Sequence, residues 1–286
     1  MSSQQVMQMA INGVMLGLVY SLVALGLTLV FGVMRIVNFA HGELYMLGAF
    51  ITYYLYGEWH LNFALTLILC VVIVGALGVA IERLLLRRLR GEFLASFIVT
   101  LGLATFLQSA ALLVFGLSEK GVPAVVPGVA RFAGVNVSME RLALIPISLS
   151  LIVGLNLYVL KTRAGRAMRA ASSDPDAAAL YGVNIVQVRS TCMAIGCALA
   201  GIAGALMAPV FSINPYMGED PLFKGFIIIV VGGLGSIQGA LLAGIMLGCL
   251  EAFGTMIFGA PVAYITSFLV LIGFLLFRPR GFFGRV

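Results

Sequence analysis

Residues 62–86 read NFALTLILCVVIVGALGVAIERLLL, and this stretch decides what kind of protein the chain is. Its first twenty residues carry no charge, and about 20 apolar residues are what an α-helix needs to cross the hydrocarbon core of a bilayer. Residues 191–210 form a second run of that kind. Outward from these, apolar runs follow one another almost end to end: 6–33, 44–56, 93–117, 143–160, 188–210, 222–231, 240–257 and 261–277. The 286 residues are 62% hydrophobic and 10% charged, with a mean hydropathy of +1.12. That leaves far too little polar surface to cover a water-soluble core of this size. Long unbroken runs also exclude a membrane β-barrel, whose strands alternate over about ten residues. The reading is an all-α polytopic membrane protein, a single transmembrane domain over residues 1–286, with eight or nine crossings and interrupted helices.

The formal charge of +6 would suggest nucleic acid in a soluble protein, but here its placement matters more than its size. Arg83, Arg87, Arg88 and Arg90 follow one apolar run. Lys161, Arg163, Arg166, Arg169 and Arg189 lie in a central loop, and Arg278, Arg280 and Arg285 form the tail. By the positive-inside rule these clusters face the cytoplasm. Parity agrees: three crossings precede Arg83, two separate Arg90 from Lys161, and four separate Arg189 from Arg278. The N-terminus is therefore expected outside and the C-terminus in the cytoplasm. The run 222–231 is short for a full span, which leaves eight against nine open. The start MSSQQVMQMA has no basic residue, so the first run is expected to stay as a helix rather than be cleaved as a signal peptide. Cys70, Cys192, Cys197 and Cys249 sit inside apolar runs without metal-ligand spacing. They read as small packing residues, with neither a metal site nor a disulfide framework.

Two interrupted helices look like counterparts: GLTLVFGVMRIVNFAHGELYMLGAF at 26–50 and GFIIIVVGGLGSIQGALLAGIMLG at 225–248. Each is read as an apolar run, a glycine-containing break at the cytoplasmic end, and a return helix. Matching interruptions in two halves point to a transport pathway. The freed backbone is tolerated in a membrane only when buried in protein or lining a wet cavity. The pathway candidates are Arg35, Asn38, His41, Gly42 and Glu43 in the first break, Gly232, Gly233, Gly235 and Ser236 in the second, and Glu251 on the helix that follows. An unpaired charge at membrane depth is costly, so Arg35, His41 and Glu43 are expected either at the interface, as anchors and caps, or paired with one another. Glu251 is read equally as pathway lining or as a structural hydrogen bond. Gly235→Val is expected to do more harm than Gly248→Ala. Small residues four apart (Gly13/Gly17, Ala200/Gly204, Gly201/Ala205, Gly244/Gly248) read as close helix packing.

Enzyme chemistry finds no foothold. VGGLGSIQG lacks the lysine that a phosphate-binding loop places after its glycines, and no nucleophile, base or metal-ligand cluster accompanies the charged residues. No cofactor is indicated. If transport is driven, another subunit must bind the fuel.

The central loop, residues 161–187, begins KTRAGRAMRAASSDPDAAALYGV. Asp174 is an N-cap, Pro175 suits the first helical position, and Asp176 favours the positive end of the helix dipole. Gly182 supplies a left-handed stop. A helix of about two turns follows Arg166 and Arg169, too short to persist alone. Leu180 and Tyr181 give it an apolar tip that should dock on something.

Four runs together, NFAHGELYMLGAF at 38–50, GRAMRAASSDPDAAALYGVNI at 165–185, GGLGSIQGAL at 232–241 and RPRGFFG at 278–284, resemble the LivH-type membrane permeases of branched-chain amino-acid ABC importers over essentially the whole chain. The resemblance implies one half of a permease that carries leucine, isoleucine or valine inward. It implies a multi-pass location in the inner (plasma) membrane. Residues 170–182 would be the coupling helix that enters a groove of the ATPase, with Arg166, Arg169, Asp174, Asp176, Leu180, Tyr181 and Gly182 as the coupling residues. Asp176 stands where the general motif of importers favours a glutamate. The implied partners are two ABC ATPase subunits, which hydrolyse the ATP, a second related permease, and a periplasmic or lipoprotein substrate-binding protein; nucleic acid is not among them. A related subgroup carries urea, short amides or other amino acids. An ion-coupled secondary transporter using Glu251 is the alternative from another class, and it would need no capped docking helix.

Overall fold

The computed structural model describes residues 3–89, 92–132, 135–277 and 281–283. Arg90, Arg278, Arg280 and Arg285 of the basic clusters lie outside the described residues. In chain order the helices are α1 (Ser3–Met34), α2 (His41–Thr52), α3 (Phe63–Leu84), α4 (Phe93–Phe115), α5 (Met139–Lys161), α6 (Arg163–Ser173), α7 (Pro175–Leu180), α8 (Ile185–Met207), α9 (Glu219–Gly232), α10 (Ile237–Phe258) and α11 (Ala260–Phe277). A π-helical stretch, Tyr53–Glu58, continues α2.

Six of these, α1, α3, α4, α5, α8 and α10, are long and apolar enough to cross a membrane by length and composition. The expected eight or nine crossings also required α2, α9 and α11. Their α-helical lengths are 12, 14 and 18 residues, and the first two are too short to span about 30 Å of hydrocarbon at 1.5 Å per residue. The all-α reading also misses a small hairpin. Strands β1 (Val129–Phe132) and β2 (Val135–Ser138) pair antiparallel with Val129 opposite Ser138. Val135 and Val137 turn inward while Asn136 accepts a bond from Gln8 of α1, so local alternation makes a strand here.

Helices α1 and α8 are enclosed along most of their length, whereas α4 is largely exposed. A helix that is apolar all round belongs in the interior, and α1 fills that place, lying against α5, α8, α9 and α10. The crossings are made by small residues, as their four-residue spacing suggested. Gly17 of α1 lies on Gly244 and Ile245 of α10, so that an added methyl would sit 2.6 Å from the Ile245 Cα. Gly48 of α2 faces Gly201 of α8, and Gly78 of α3 faces Cys197 of α8. Backbones this close gain dispersion contacts that larger side chains would prevent.

Candidate functional site

The first break turns back into the bundle. Arg35, with φ 55°, ends α1, and its amide still bonds to the Phe31 carbonyl. The chain then runs inward. The Thr100 hydroxyl of α4 donates to the Val37 carbonyl at 3.1 Å, and Phe39 packs on Phe97 and Phe226 with ring centroids 4.9 and 5.4 Å away. Asn38 is buried and accepts from the Ala40 amide at 3.2 Å. His41 Nε2 sits 3.2 Å from the Val23 carbonyl of α1, and its ring lies against Gly26. Helix α2 therefore begins beside residues 23–26, roughly 12–16 Å back along α1 from its end.

There it meets a second helix start. Gly42, in the first turn of α2, lies on the backbone of Gly218, the residue that opens α9, and a Cβ on either would strike the carbonyl of the other. Asn62, Thr162, Asp174, Asn184 and Ser236 cap their helices with side-chain oxygens. Helix α2 starts at Ala40 and α9 at Gly218 without any such cap. The two short helices thus begin in contact, inside the bundle, and their opening amides at His41 and Glu219 donate to the backbone carbonyls of Asn38 and Tyr216.

The charged candidates are redistributed by this geometry. Arg35 is exposed at the rim, while His41 and Glu43 are buried. The expectation that they pair with one another fails, because α2 carries His41 and Glu43 inward and leaves Arg35 behind at the end of α1. The charged neighbour of Glu43 is Glu219, and Gln108 of α4 donates to Glu219 Oε1 at 2.8 Å. Glu251 proves to be part of an ion cluster. Lys224, only 3% exposed, donates to Glu251 at 2.6 Å, to Asp220 at 2.7 Å and to the Tyr20 hydroxyl at 2.9 Å, tying α9 to α10 and α1. Lys224 was not among the residues singled out from the sequence. The signal available was an Asp-x-x-x-Lys pair entering an apolar run.

The second break is solved differently. Gly233 (φ 96°) and Gly235 (φ 84°) take backbone shapes that side chains resist, and Ser236 caps α10 through the Gly239 amide at 3.0 Å. The last carbonyls of α9 are taken by the tail: Phe282 N–H donates to Val231 at 2.8 Å and Phe283 N–H to Gly232 at 3.2 Å. Gly235 faces open space, whereas a methyl on Gly248 would run into Gly13 and Gly17 of α1. On space alone the crossing at Gly248 is the tighter site, while at Gly235 the left-handed φ opposes a side chain.

In the central loop the capped helix appears as read. Asp174 Oδ1 accepts from the Asp176 and Ala177 amides, both at 2.9 Å, and Gly182 has φ 82°. The side chains of Leu180 and Tyr181 stand 89% and 91% exposed. The preceding helix, α6, was not foreseen. Met168 and Ala171 dock it on Val33, Val188 and Cys192, and Thr162 caps it through the Gly165 amide at 2.9 Å. Arg169 donates to the Val159 carbonyl, and Arg166 to that of Lys161. Both arginines thus close the end of α5 within this chain.

Residues 9–277 match the family described as branched-chain amino acid transport system / permease component. The chain is 36% identical to the high-affinity branched-chain amino acid transport system permease protein BraD of Pseudomonas aeruginosa, across 98% of this chain and 96% of that one. It is 33% identical to LivH of Escherichia coli K12, across 98% and 96%. It is also 27% identical to LivM, a permease protein of the same kind of system in Salmonella typhimurium, across 80% and 60%. No solved structure matches. With inward-folded helix starts, a capped and exposed α7, and a family match over nearly the whole chain, the protein belongs to the permease components of branched-chain amino acid transport systems.

Proposed function

We propose that this chain is a permease subunit of an ABC importer that moves leucine, isoleucine and valine inward across the inner (plasma) membrane. It is not itself an enzyme; two partner ATPases supply the energy, a secreted or lipid-anchored binding protein delivers the substrate, and a second permease completes the pathway. The likeness to LivM fits a partner permease related to this chain. The π-continued α2 and α11 would add two crossings to the six long helices, and α9 would supply the ninth that an outside N-terminus and a cytoplasmic tail require. Arg83, Arg87 and Arg88 after α3, with the arginines of α6, put one end of the bundle in the cytoplasm, the N-terminus outside and the tail inside.

The observation that carries the reading is the tip of α7. A two-turn helix, capped at both ends, holds a leucine and a tyrosine almost wholly in solvent. Aromatic anchors of this kind dominate protein interfaces, and an ATPase groove is the partner that the family supplies. Asp174, Asp176 and Gly182 build the helix, Leu180 and Tyr181 make the contact, and Arg166 and Arg169 fix its base to α5. The pathway would run past Asn38, His41, Gly42, Glu43 and Glu251, with residues 232–236 and Arg35 at its inner mouth. The double variant Leu180→Asp with Tyr181→Ala is expected to insert normally but to lose both co-elution of the ATPase subunits and ATP-driven leucine uptake. Full retention of both would remove the coupling assignment. A cysteine at Ser173 should label only from the cytoplasmic side.

A further inference from the structure

The meeting point of α2 and α9 holds more negative charge than the chain neutralises. Glu43 opens α2, Glu219 and Asp220 open α9, and Glu251 faces them from α10. Against these four carboxylates stands the ammonium of Lys224, and its three N–H donors are already spent on Asp220, Glu251 and Tyr20. Tyr45 and Tyr264 also border the cluster and bring no positive charge. The formal balance of these groups is −3.

Two enclosed oxygens mark where a donor is missing. Glu43, 4% exposed, has an Oε2 without a hydrogen-bond partner among the described residues, and so has Glu251. Asn38 Nδ2 and His41 Nδ1, on buried side chains at the same helix start, are likewise unsatisfied. Buried polar atoms are almost always paired, so three orphans at the start of α2, on Asn38, His41 and Glu43, call for an explanation. Among the described residues, no set of three or more His, Cys, Asp or Glu could hold a metal ion.

We propose that this cluster is the subsite for the α-ammonium group of the travelling amino acid, with Glu43 Oε2 as its principal acceptor. Urea and short amides lack the ammonium and would leave the Glu43 oxygen unpaired. This selectivity rests on the importer reading above.

The test uses the complete complex, co-purified with its partner subunits and reconstituted in proteoliposomes with the liganded binding protein. Glu43→Gln keeps the shape and removes the charge, and it should lower the initial rate of ATP-driven leucine uptake about tenfold. Glu219→Gln, at the exposed edge of the same cluster, should lower it less but in the same direction, and Glu43→Asp should retain more activity than Glu43→Gln. Replacing Na⁺ by choline should change nothing. If Glu43→Gln fails to co-purify with its partners, Glu219→Gln decides. Wild-type rates in both glutamine variants, or uptake that disappears with Na⁺, would overturn the ammonium subsite. If the unmodified complex moved no leucine on ATP, the importer reading itself would fail.

Discussion

The two breaks in this bundle interrupt similar apolar runs and have opposite construction. The first follows a helix of 32 residues and precedes one of 12; the second follows a helix of 14 and precedes one of 22. The first dives inward and is held by side chains from other helices, Thr100, Phe97 and Phe226 among them. The second stays at the end of the bundle, turns on left-handed glycines, and has its open carbonyls closed by the tail. An interruption in an apolar run therefore says that helical bonds are lost. It does not say what replaces them, and the replacement determines whether the break reaches the interior or guards its rim.

Substitutions should separate the two. The largest effect is expected where backbones touch. Gly42→Val would push α2 off Gly218 with no side chain able to yield, a cost of about 3 kcal/mol or more, seen as loss of folded protein by fluorescence-detected size exclusion. Ending the chain at Phe277 should come next. It removes the two tail amides from Val231 and Gly232 and costs about 2 kcal/mol, lowering Tm by several degrees while leaving the first break intact. A drop as large as that from Gly42→Val would mean that the rim, too, supports the interior. Gly235→Ala should be mildest. The site is open and only φ opposes the change, so about 1 kcal/mol is expected, and a much larger loss in the same thermal assay would show that Gly235 approaches a partner.

What could be read from sequence was local. The capped helix α7 was legible residue by residue because Asp174, Pro175 and Gly182 act within one turn of themselves. The long spans were legible from composition. Helix α6 was not, although its buried Gly165, Met168 and Ala171 recur at helical spacing, because its arginines gave it the composition of a loop between spans. The depth of the first break was hidden for a different reason. It depends on Gly42 meeting Gly218, a contact across 176 residues that no window of sequence contains. Lys224 was passed over because a charge inside an apolar run looks like noise until Glu251 and Tyr20 are seen around it.

The tail bonds also carry a statement about time. The carbonyls of Val231 and Gly232 wait for amides made about fifty residues later, which at ribosomal speed is roughly 3–10 s. During that interval α10 and α11 are made while the end of α9 stays open. The second break is thus closed only after both later helices exist, so their synthesis precedes the locking of that rim.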